Sequence, residues 1–298
     1  MSPADWASGS LLVLGAKGML GHELVDRFRQ RLGGGAHERL AAWGTAELDI
    51  RDRDAVFQVV TGLKPSVVVN AAAYTDVNGC ETNVELAMAV NGQGPGNVAQ
   101  ACAEIGSILV HFGTDFIFDG RSDRPYRPDD APNPLSVYGR SKWEGEQAVR
   151  ATECDHLIIR TSWLFGPHGR NFVEAILSRV RSGESPSVVT DQVGRPTLAS
   201  DLAEAVVRLL DAGARGTVHF ANLGQCSWFG FAQEIVKQMG GDVPVQPIRS
   251  DQLGAPAKRP AYSVMDLARY VELTDHTPAP WQDALSRYPR CKEEPQRE

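Results

Sequence analysis

The chain has 298 residues, of which 42% are hydrophobic and 22% charged, and its formal net charge is −7. This composition predicts an ordinary globular protein and excludes disordered, collagen-like and low-complexity chains. The negative charge argues against broad binding to nucleic acid or an anionic membrane, and no apolar run approaches the ~18–20 residues that span a bilayer.

Short apolar segments alternate with helical patterns along the first half of the chain. Strands are predicted at 10–14, 40–43, 66–70, 108–112 and 157–160. Helices are predicted over 19–32, around Val56, Val59 and Val60, over 84–105 and from about 137 to 150. Strands that alternate with helices imply right-handed crossovers, so we predict an α/β protein with a doubly wound parallel sheet.

The pattern changes after residue 162. Strand candidates shorten to 187–189 and 218–221, and helices are expected near 171–181, 201–210 and 229–239. Four prolines at positions 244, 247, 256 and 260 mark a loop-rich region. We therefore expect a cofactor domain over 1–162 and, mainly over 163–298, a smaller C-terminal substrate-binding α/β domain. Some of its segments should return to the first sheet.

A glycine-rich loop joins the first strand to the first helix. The segment 15–21, GAKGMLG, fits the pattern GxxGxxG. One glycine permits the tight turn, one admits a pyrophosphate, and one lets the helix pack closely on the sheet. The pattern predicts a Rossmann-type dinucleotide domain. Its predicted cofactor contacts are Gly15, Lys17, Gly18, Met19, Leu20 and Gly21.

The second and third strands add to the cofactor prediction. At the end of the second strand, positions 42–45 read AWGT, without the acid that grips the ribose in NAD-only enzymes. No arginine for a 2′-phosphate is evident there, so both NADPH and NADH stay open. Asp49 and Ile50 suit the adenine, whereas Ala71, Ala72 and Ala73 leave room near the nicotinamide half.

A tyrosine and a lysine supply candidate acid–base chemistry. Tyr138 and Lys142 are four residues apart, which places them on one face of a helix. A phenol with a pKa of about 10 is a poor acid–base group at neutral pH, and a nearby ammonium is expected to lower that pKa. Thr114 follows a strand at its carboxyl end, where its hydroxyl can bond the same substrate oxygen. The three residues therefore predict proton exchange with a carbonyl oxygen.

These motifs resemble the extended short-chain dehydrogenase/reductases. Within that group, five segments resemble the dTDP-4-dehydrorhamnose reductases: NAAAYTDV (70–77), GTDFIFDG (113–120), PLSVYGRSK (134–142), RTSWLFG (160–166) and TDQVGRPT (190–197). The resemblance runs from residue 11 to about residue 288. The sequence departs from the usual pattern at Gly113, at Phe116 and at Asn78-Gly79, and none of these departures removes a proton donor.

The resemblance implies reduction of the C4 ketone of dTDP-4-dehydro-L-rhamnose by NADPH or NADH. Thr114 and Tyr138 would polarise the ketone, Tyr138 would give the proton, and Lys142 would hold the nicotinamide ribose and tune Tyr138. Predicted substrate contacts are Thr114, Asp115, Trp163 against the sugar, and Asn171, Arg195 and Arg259 at the diphosphate. Arginine suits that role because its planar fork matches phosphate oxygens. Some family members are thought to use magnesium, but Glu23 alone does not predict a metal site.

Several alternatives stay open. The same residues would serve another sugar-nucleotide 4-ketoreductase or an epimerase, and the wider family includes a non-catalytic, NADP-binding regulatory subunit. Elimination of water is disfavoured because Asp115 is followed by Phe116 and not by a second acid. The expected partner is a dTDP-sugar, with a homodimer left open. Five scattered cysteines without a CxxC pair and a start without a secretory signal favour a cytoplasmic protein.

Overall fold

Strands and helices alternate through the part of the chain that the computed structural model describes, residues 3–238 and 243–293. The strands are β1 (Leu11–Leu14), β2 (Leu40–Trp43), β3 (Val67–Asn70), β4 (Ile108–Thr114), β5 (His156–Thr161), β6 (Leu164–Phe165), β7 (Ser187–Val189), β8 (Val193–Gly194), β9 (Thr197–Leu198), β10 (Gly216–His219), β11 (Cys226–Ser227) and β12 (Gln246–Ile248). The α-helices are α1 (Met19–Leu32), α2 (Ala36–Arg39), α3 (Arg53–Leu63), α4 (Val77–Thr82), α5 (Val84–Ala87), α6 (Gly94–Ile105), α7 (Val137–Arg150), α8 (Phe172–Arg181), α9 (Ala199–Asp211), α10 (Trp228–Gln238), α11 (Ser250–Leu253), α12 (Ala268–Thr274) and α13 (Trp281–Glu293). Short 3₁₀ helices lie at Pro3–Ser8, Gly33–Gly35 and Asp115–Ile117, and a π-helix at Met88–Gln93.

Six parallel strands of the described chain form one sheet, in the order β2-β1-β3-β4-β5-β10. This arrangement confirms the predicted doubly wound α/β fold of Rossmann type. From β1 the chain passes to β2 on one side, and β3 lies on the other side of β1. Parallel sheets bind ligands at such a switch point, outside the carboxyl ends of the strands.

The sheet is covered by helices on both faces. Alternate side chains of a strand point to opposite faces, so Leu11 and Val13 join a core that includes α1 and α9. Leu12 and Leu14 join a second core with residues of α3 and α6. A strand that is buried on both faces must be apolar at every position, which explains the continuous apolar runs in the sequence.

The element predictions for the first half are confirmed with small shifts of their ends. The helix predicted over 84–105 is present as α5, the π-helix and α6 in succession. The strand predicted at 218–221 begins earlier, at Gly216, and Phe220 N still donates to Arg160 O at 2.9 Å. The helix predicted over 229–239 is α10, and residue 239 lies outside the described residues.

The C-terminal part builds a smaller lobe with its own apolar core. Residues of α8, α10 and α13 form this core, and the short pairs β7–β12, β8–β11 and β6–β9 lie around it. The sequence reading missed α13, although Trp281, Ala284, Leu285 and Tyr288 follow helical spacing and are buried. By contrast, β10 and α9 pack in the main sheet and its core.

Three features of the described residues concern membrane helices, metal-binding groups and cysteines. None of the helices within 3–238 and 243–293 has the length and apolarity needed to cross a membrane. The same residues contain no group of three or more His, Cys, Asp or Glu side chains arranged to hold a metal ion. Cys80, Cys102, Cys154 and Cys226 are free thiols.

Candidate active site

The glycine loop makes a close turn between β1 and α1. Gly15 has a φ of +74°, and a Cβ there would lie 2.5 Å from Ala72 N. A Cβ on Gly21 would lie 2.2 Å from Gly15 O, so only glycine lets α1 approach the loop. Gly18 caps α1 with its backbone alone, which leaves the positive end of the helix dipole for an anion. These features fit a dinucleotide pyrophosphate.

A cavity of about 450 Å³ opens at the carboxyl ends of β1, β2 and β3. It is lined by Gly15, Lys17, Gly18, Gly44, Thr45, Leu48, Asp49, Ile50, Arg51, Ala71, Ala72, Ala73, Tyr74, Leu86 and Val90. Eight of the predicted cofactor residues therefore line one space, namely Gly15, Lys17, Gly18, Asp49, Ile50, Ala71, Ala72 and Ala73. The predicted contacts of Met19, Leu20 and Gly21, which lie in the first turn of α1, stay predictions.

Two ion pairs stand at the end of this cavity near β2. Lys17 Nζ contacts Glu47 Oε1 at 2.5 Å, and Glu47 Oε2 accepts a hydrogen bond from Gly44 N at 2.9 Å. Positions 42–45 hold no acid, as the sequence shows, but Glu47 from the following turn folds back to this point. The expectation that no arginine is near was wrong, since Arg51 lines the cavity and pairs with Asp49 at 2.5 Å. These bonds hold the pKa of both carboxyls below its ordinary value.

Two of the predicted catalytic residues, Thr114 and Tyr138, lie near each other at the carboxyl end of β4. Thr114 is the last residue of β4, and its hydroxyl lies close enough to the Tyr138 phenol to lower the pKa of that group. Ser136 begins α7 by accepting a hydrogen bond from Gly139 N at 3.1 Å. A Cβ on Gly139 would lie 2.2 Å from Phe116 O, so glycine there lets α7 press against the Thr114 loop. The Phe116 ring packs edge-on against Tyr138, with centroids 5.6 Å apart.

Burial controls the protonation of Tyr138 and Lys142. It raises the pKa of Tyr138, and the nearby Thr114 hydroxyl opposes this effect only in part. The predicted lowering of this pKa by Lys142 stays a prediction, whereas the cost of burying a phenolate raises it. Burial also lowers the pKa of Lys142 to about 8, against the opposing charge of Glu146. A phenol that keeps its proton is suited to donate it to an oxygen that gains negative charge.

Asp115 follows Thr114 and is fully enclosed. Only 2% of it is exposed, and burial raises its pKa to about 7. Its two carboxyl oxygens have different partners: Ser263 Oγ donates to Oδ2 at 2.5 Å, and Thr114 Oγ1 donates to Oδ1 at 3.3 Å. The sequence reading did not single out Ser263. The predicted contact of Asp115 with substrate stays a prediction.

A buried ion pair lies beneath the catalytic helix. Arg160 on β5 donates to Glu146 on α7, with Nη2 of the arginine 2.9 Å from Oε2 of the glutamate. Both side chains are at most 1% exposed. Arg150 donates to the same Glu146 oxygen at 2.8 Å. A Cβ on Gly113 would lie 2.3 Å from Glu146 Oε1, so a larger residue at this position would collide with the ion pair. The network ties α7 to β5 and thereby fixes the register of Tyr138 and Lys142.

A second group of hydrogen bonds connects Tyr74, the π-helix and α7 on the other side of the site. Asn91, within the π-helix, accepts from Tyr74 N at 2.8 Å and donates to Tyr74 O at 2.9 Å and to Ser141 Oγ at 3.1 Å. The sequence reading missed Asn91. No short motif could have found it, because its role depends on the irregular helix that aims it at α7.

Trp163 has a strained backbone and an aromatic partner. Its φ is +48°, which a bulky residue rarely adopts, and such strain gathers at functional sites. The indole stacks on that of Trp228 with centroids 3.6 Å apart and an interplanar angle of 8°. A Cβ on Gly194 would lie 2.6 Å from Trp163 Cε2, so glycine makes room for the ring. The predicted contact of Trp163 with the sugar stays a prediction.

The three residues predicted at the diphosphate differ in their local bonding. Asn171 caps α8, accepting from Glu174 N at 3.1 Å and donating to Gly166 O at 2.8 Å, so its amide already has partners. Arg195 Nε is buried and has no hydrogen-bond partner among the described residues. Arg259 donates to Asn78 Oδ1 at 3.1 Å, which links the C-terminal segment to α4. Burial lowers the pKa of both arginines.

Comparison with known proteins yields one family and several close relatives. A family model described as RmlD substrate binding domain matches residues 9–291. A dTDP-4-dehydrorhamnose reductase of Streptomyces griseus is 40% identical over 282 residues, which cover 92% of this chain and 91% of that protein. A dTDP-4-keto-6-deoxy-D-glucose reductase of Streptomyces niveus is 39% identical over 256 residues, covering 85% of this chain and 87% of that protein. The solved structure of dTDP-4-dehydrorhamnose reductase from Bacillus anthracis in complex with NADP superposes with a TM-score of 0.89 at 34% identity, covering 94% of this chain and 98% of that one.

Proposed function

The chain belongs to the RmlD substrate binding domain family, and from this premise we propose that it reduces the C4 ketone of dTDP-4-dehydro-L-rhamnose to dTDP-L-rhamnose with NADPH or NADH. The observation that carries the proposal is that Thr114, which is buried at the carboxyl end of β4, lies close enough to the half-buried Tyr138 to lower the pKa of its phenol. The glycine loop and its cavity support the nicotinamide cofactor. Relatives of the same length carry the same activity in their names.

The catalytic roles follow from protonation and position. The reduced nicotinamide supplies a hydride to C4. Tyr138 keeps its proton because burial raises its pKa, so it can deliver that proton to the C4 oxygen. Thr114 lies close enough to Tyr138 to lower the pKa of its phenol, so its hydroxyl would reach the same oxygen. Lys142, one helical turn along α7, would bind the nicotinamide ribose.

The substrate is proposed to lie between the sheet edge and the C-terminal lobe. Arg195 is half-buried, and its Nε is buried with no hydrogen-bond partner in the described chain, which is the state expected of a group awaiting an anion. Trp163 and Arg259 come from the same half of the chain. We therefore assign residues 1–162 to cofactor binding and 163–298 mainly to substrate binding, with β10 as a strand returned to the main sheet.

A second candidate is another dTDP-sugar 4-ketoreductase. The Streptomyces niveus relative, a dTDP-4-keto-6-deoxy-D-glucose reductase, supports it almost as strongly by identity. The proximity of Thr114 and Tyr138 weighs against a non-catalytic regulatory subunit, since such a subunit has no need of a proton donor. An epimerase would return its product at the oxidation level of its substrate.

The test is reduction of defined 4-keto sugar nucleotides. The protein should consume NADPH or NADH only when a dTDP-4-keto-6-deoxy sugar is added, and mass spectrometry should find a product two hydrogens heavier. Comparing dTDP-4-dehydro-L-rhamnose with dTDP-4-keto-6-deoxy-D-glucose as the substrate separates the two candidate reductases. Isomerised product without cofactor consumption would indicate an epimerase, and the absence of any product would favour the regulatory subunit.

We also propose that the protein forms a homodimer and is located in the cytoplasm. Free thiols at Cys80, Cys102, Cys154 and Cys226 support a reducing compartment. Sedimentation of the purified protein would measure its oligomeric state, and fractionation of the source cells would test its location.

A further inference from the structure

A chain of buried hydrogen bonds links Ser263, in the C-terminal part of the chain, to Thr114 through Asp115. Ser263 Oγ donates to Asp115 Oδ2 at 2.5 Å, although the two residues are 148 positions apart. Thr114 Oγ1 donates to Asp115 Oδ1 at 3.3 Å. The Thr114 hydroxyl is also close enough to Tyr138 to lower the pKa of its phenol. Ser263, Asp115 and Thr114 are 2%, 2% and 5% exposed, so bulk water scarcely competes for these bonds.

The backbone, and not the serine side chain, sets the position of Ser263. Ser263 N donates to Val193 O at 2.8 Å, and Val193 N donates to Ala261 O at 2.8 Å. A Cβ on Gly120 would lie 2.5 Å from Ala261 N, so the loop after β4 approaches this segment closely. The Ser263 hydroxyl is therefore dispensable for placing its own backbone segment, and its bond to Asp115 can be removed separately.

The direction of the Thr114 proton depends on the state of Asp115. A threonine hydroxyl has one proton to donate and two lone pairs that accept. When Asp115 is ionised, its Oδ1 takes the Thr114 proton. When Asp115 is neutral, Ser263 already donates to Oδ2, so the acid proton lies on Oδ1 and is donated to Thr114 Oγ1. The Thr114 proton is then released toward Tyr138 and the substrate oxygen.

We propose that Ser263 and Asp115 are positioning residues of the reduction: Ser263 fixes Oδ2 of Asp115, and neutral Asp115 donates to Thr114 so that the Thr114 hydroxyl points at the ketone. The inference rests on the proposed function. Neither residue needs to touch the substrate for this role. Thr114 and Tyr138 remain the groups that contact the reacting oxygen.

The charges around Asp115 are consistent with a neutral form near physiological pH. Burial raises its pKa to about 7, while the hydrogen bonds from Ser263 and Thr114 act in the opposite direction. Tyr138 on α7 faces Asp115, Cys80 on α4 faces Tyr138, and burial raises the pKa of both of these groups, so they stay neutral. Lys142, one turn along α7, has a pKa of about 8.

The test is the pH dependence of kcat/KM in Ser263→Ala. In the wild type, kcat/KM should fall as the pH rises through about 7, because Asp115 ionises. The variant loses one hydrogen bond worth roughly 0.5–1.5 kcal/mol, so its plateau should drop between about twofold and tenfold. It also loses a bond that lowers the pKa of Asp115, so its fall in kcat/KM should move to higher pH. Ser107→Ala is the matched control, because Ser107 is a buried serine that donates to Pro65 O at the other end of β4.

Asp115→Asn supplies a second, independent test. Its amide can accept from Ser263 and donate to Thr114, as the neutral acid does, but it cannot ionise. Whatever the height of its low-pH plateau, the fall in kcat/KM of this variant should move from about 7 to about 8, where Lys142 loses its proton. A fall that stays in place in both variants would overturn the proposal. So would a Ser263→Ala plateau that drops while the pH profile keeps its position.

An activity-free measurement separates this inference from the proposed function. Carbon-13 NMR of aspartate-labelled protein should show one carboxyl titrating near neutral pH, and this signal should be absent in Asp115→Asn. Its midpoint should rise in Ser263→Ala and stay unchanged in Ser107→Ala. An inactive wild type with this titration would refute only the reductase assignment. A midpoint that Ser263→Ala leaves unchanged would refute the hydrogen-bonded chain.

Discussion

Arg195 offers the sharpest test of where the sugar nucleotide binds. Its Nε is buried with no partner among the described residues, and burial lowers its pKa while Tyr262 and Asp266 act in the opposite direction. A hydrogen bond to a charged group is worth about 1.5–3 kcal/mol, and each 1.4 kcal/mol is a factor of about ten in affinity. Arg195→Ala should therefore raise KM for the sugar nucleotide by roughly one to two decades.

The same variant should not weaken the fold. A buried donor without a partner costs free energy in the free protein, so its removal offsets the lost packing of the side chain. We expect an unchanged or slightly higher Tm, measured by differential scanning calorimetry. Arg181→Ala is the matched control, since Arg181 lies in the same lobe with its side chain 65% exposed, and it should leave KM unchanged.

Two assays decide the outcome. Steady-state kinetics against the sugar nucleotide give KM, and fluorescence titration gives the affinity for NADPH. An unchanged KM with a collapse of NADPH affinity would place Arg195 in the cofactor site and refute the reasoning. A loss of Tm that matches the loss of activity would show a structural role instead.

Three further predictions concern the acid, the cofactor and the glycine loop. Tyr138→Phe should lower turnover by ~10²–10⁴-fold, the usual contribution of a general acid, with NADPH binding retained by titration; unchanged turnover would exclude it as the acid. Glu47→Gln removes a negative charge beside Lys17 at the cavity, so the dissociation constant for NADPH should fall relative to that for NADH, and an unchanged ratio would place the 2′-phosphate elsewhere. Gly15→Ala should lower the free energy of unfolding by about 1–3 kcal/mol through its positive φ and the clash with Ala72, whereas Gly62→Ala, in open space on α3, should raise it by about 0.5–1 kcal/mol; equal effects in urea titrations would contradict the close approach.

The sequence by itself determined most elements of the first half and the glycine loop, because the interactions that decide them are local. A helix over 19–32 follows from spacing and from Gly33, which ends it with a φ of +61°. Ser136 predicts the start of α7 because its hydroxyl needs only the backbone three residues away. The i, i+4 spacing of Tyr138 and Lys142 likewise depends on one helix.

Only the tertiary structure decided what surrounds those residues. Glu47 reaches Lys17 across 30 positions, and Ser263 reaches Asp115 across 148, so no local pattern contains either pair. The pKa of Tyr138 likewise depends on the tertiary structure. A sequence shows which charges are near in the chain, but the cost of burying a phenolate depends on how many distant segments close over it, and in this fold that cost raises the pKa of Tyr138.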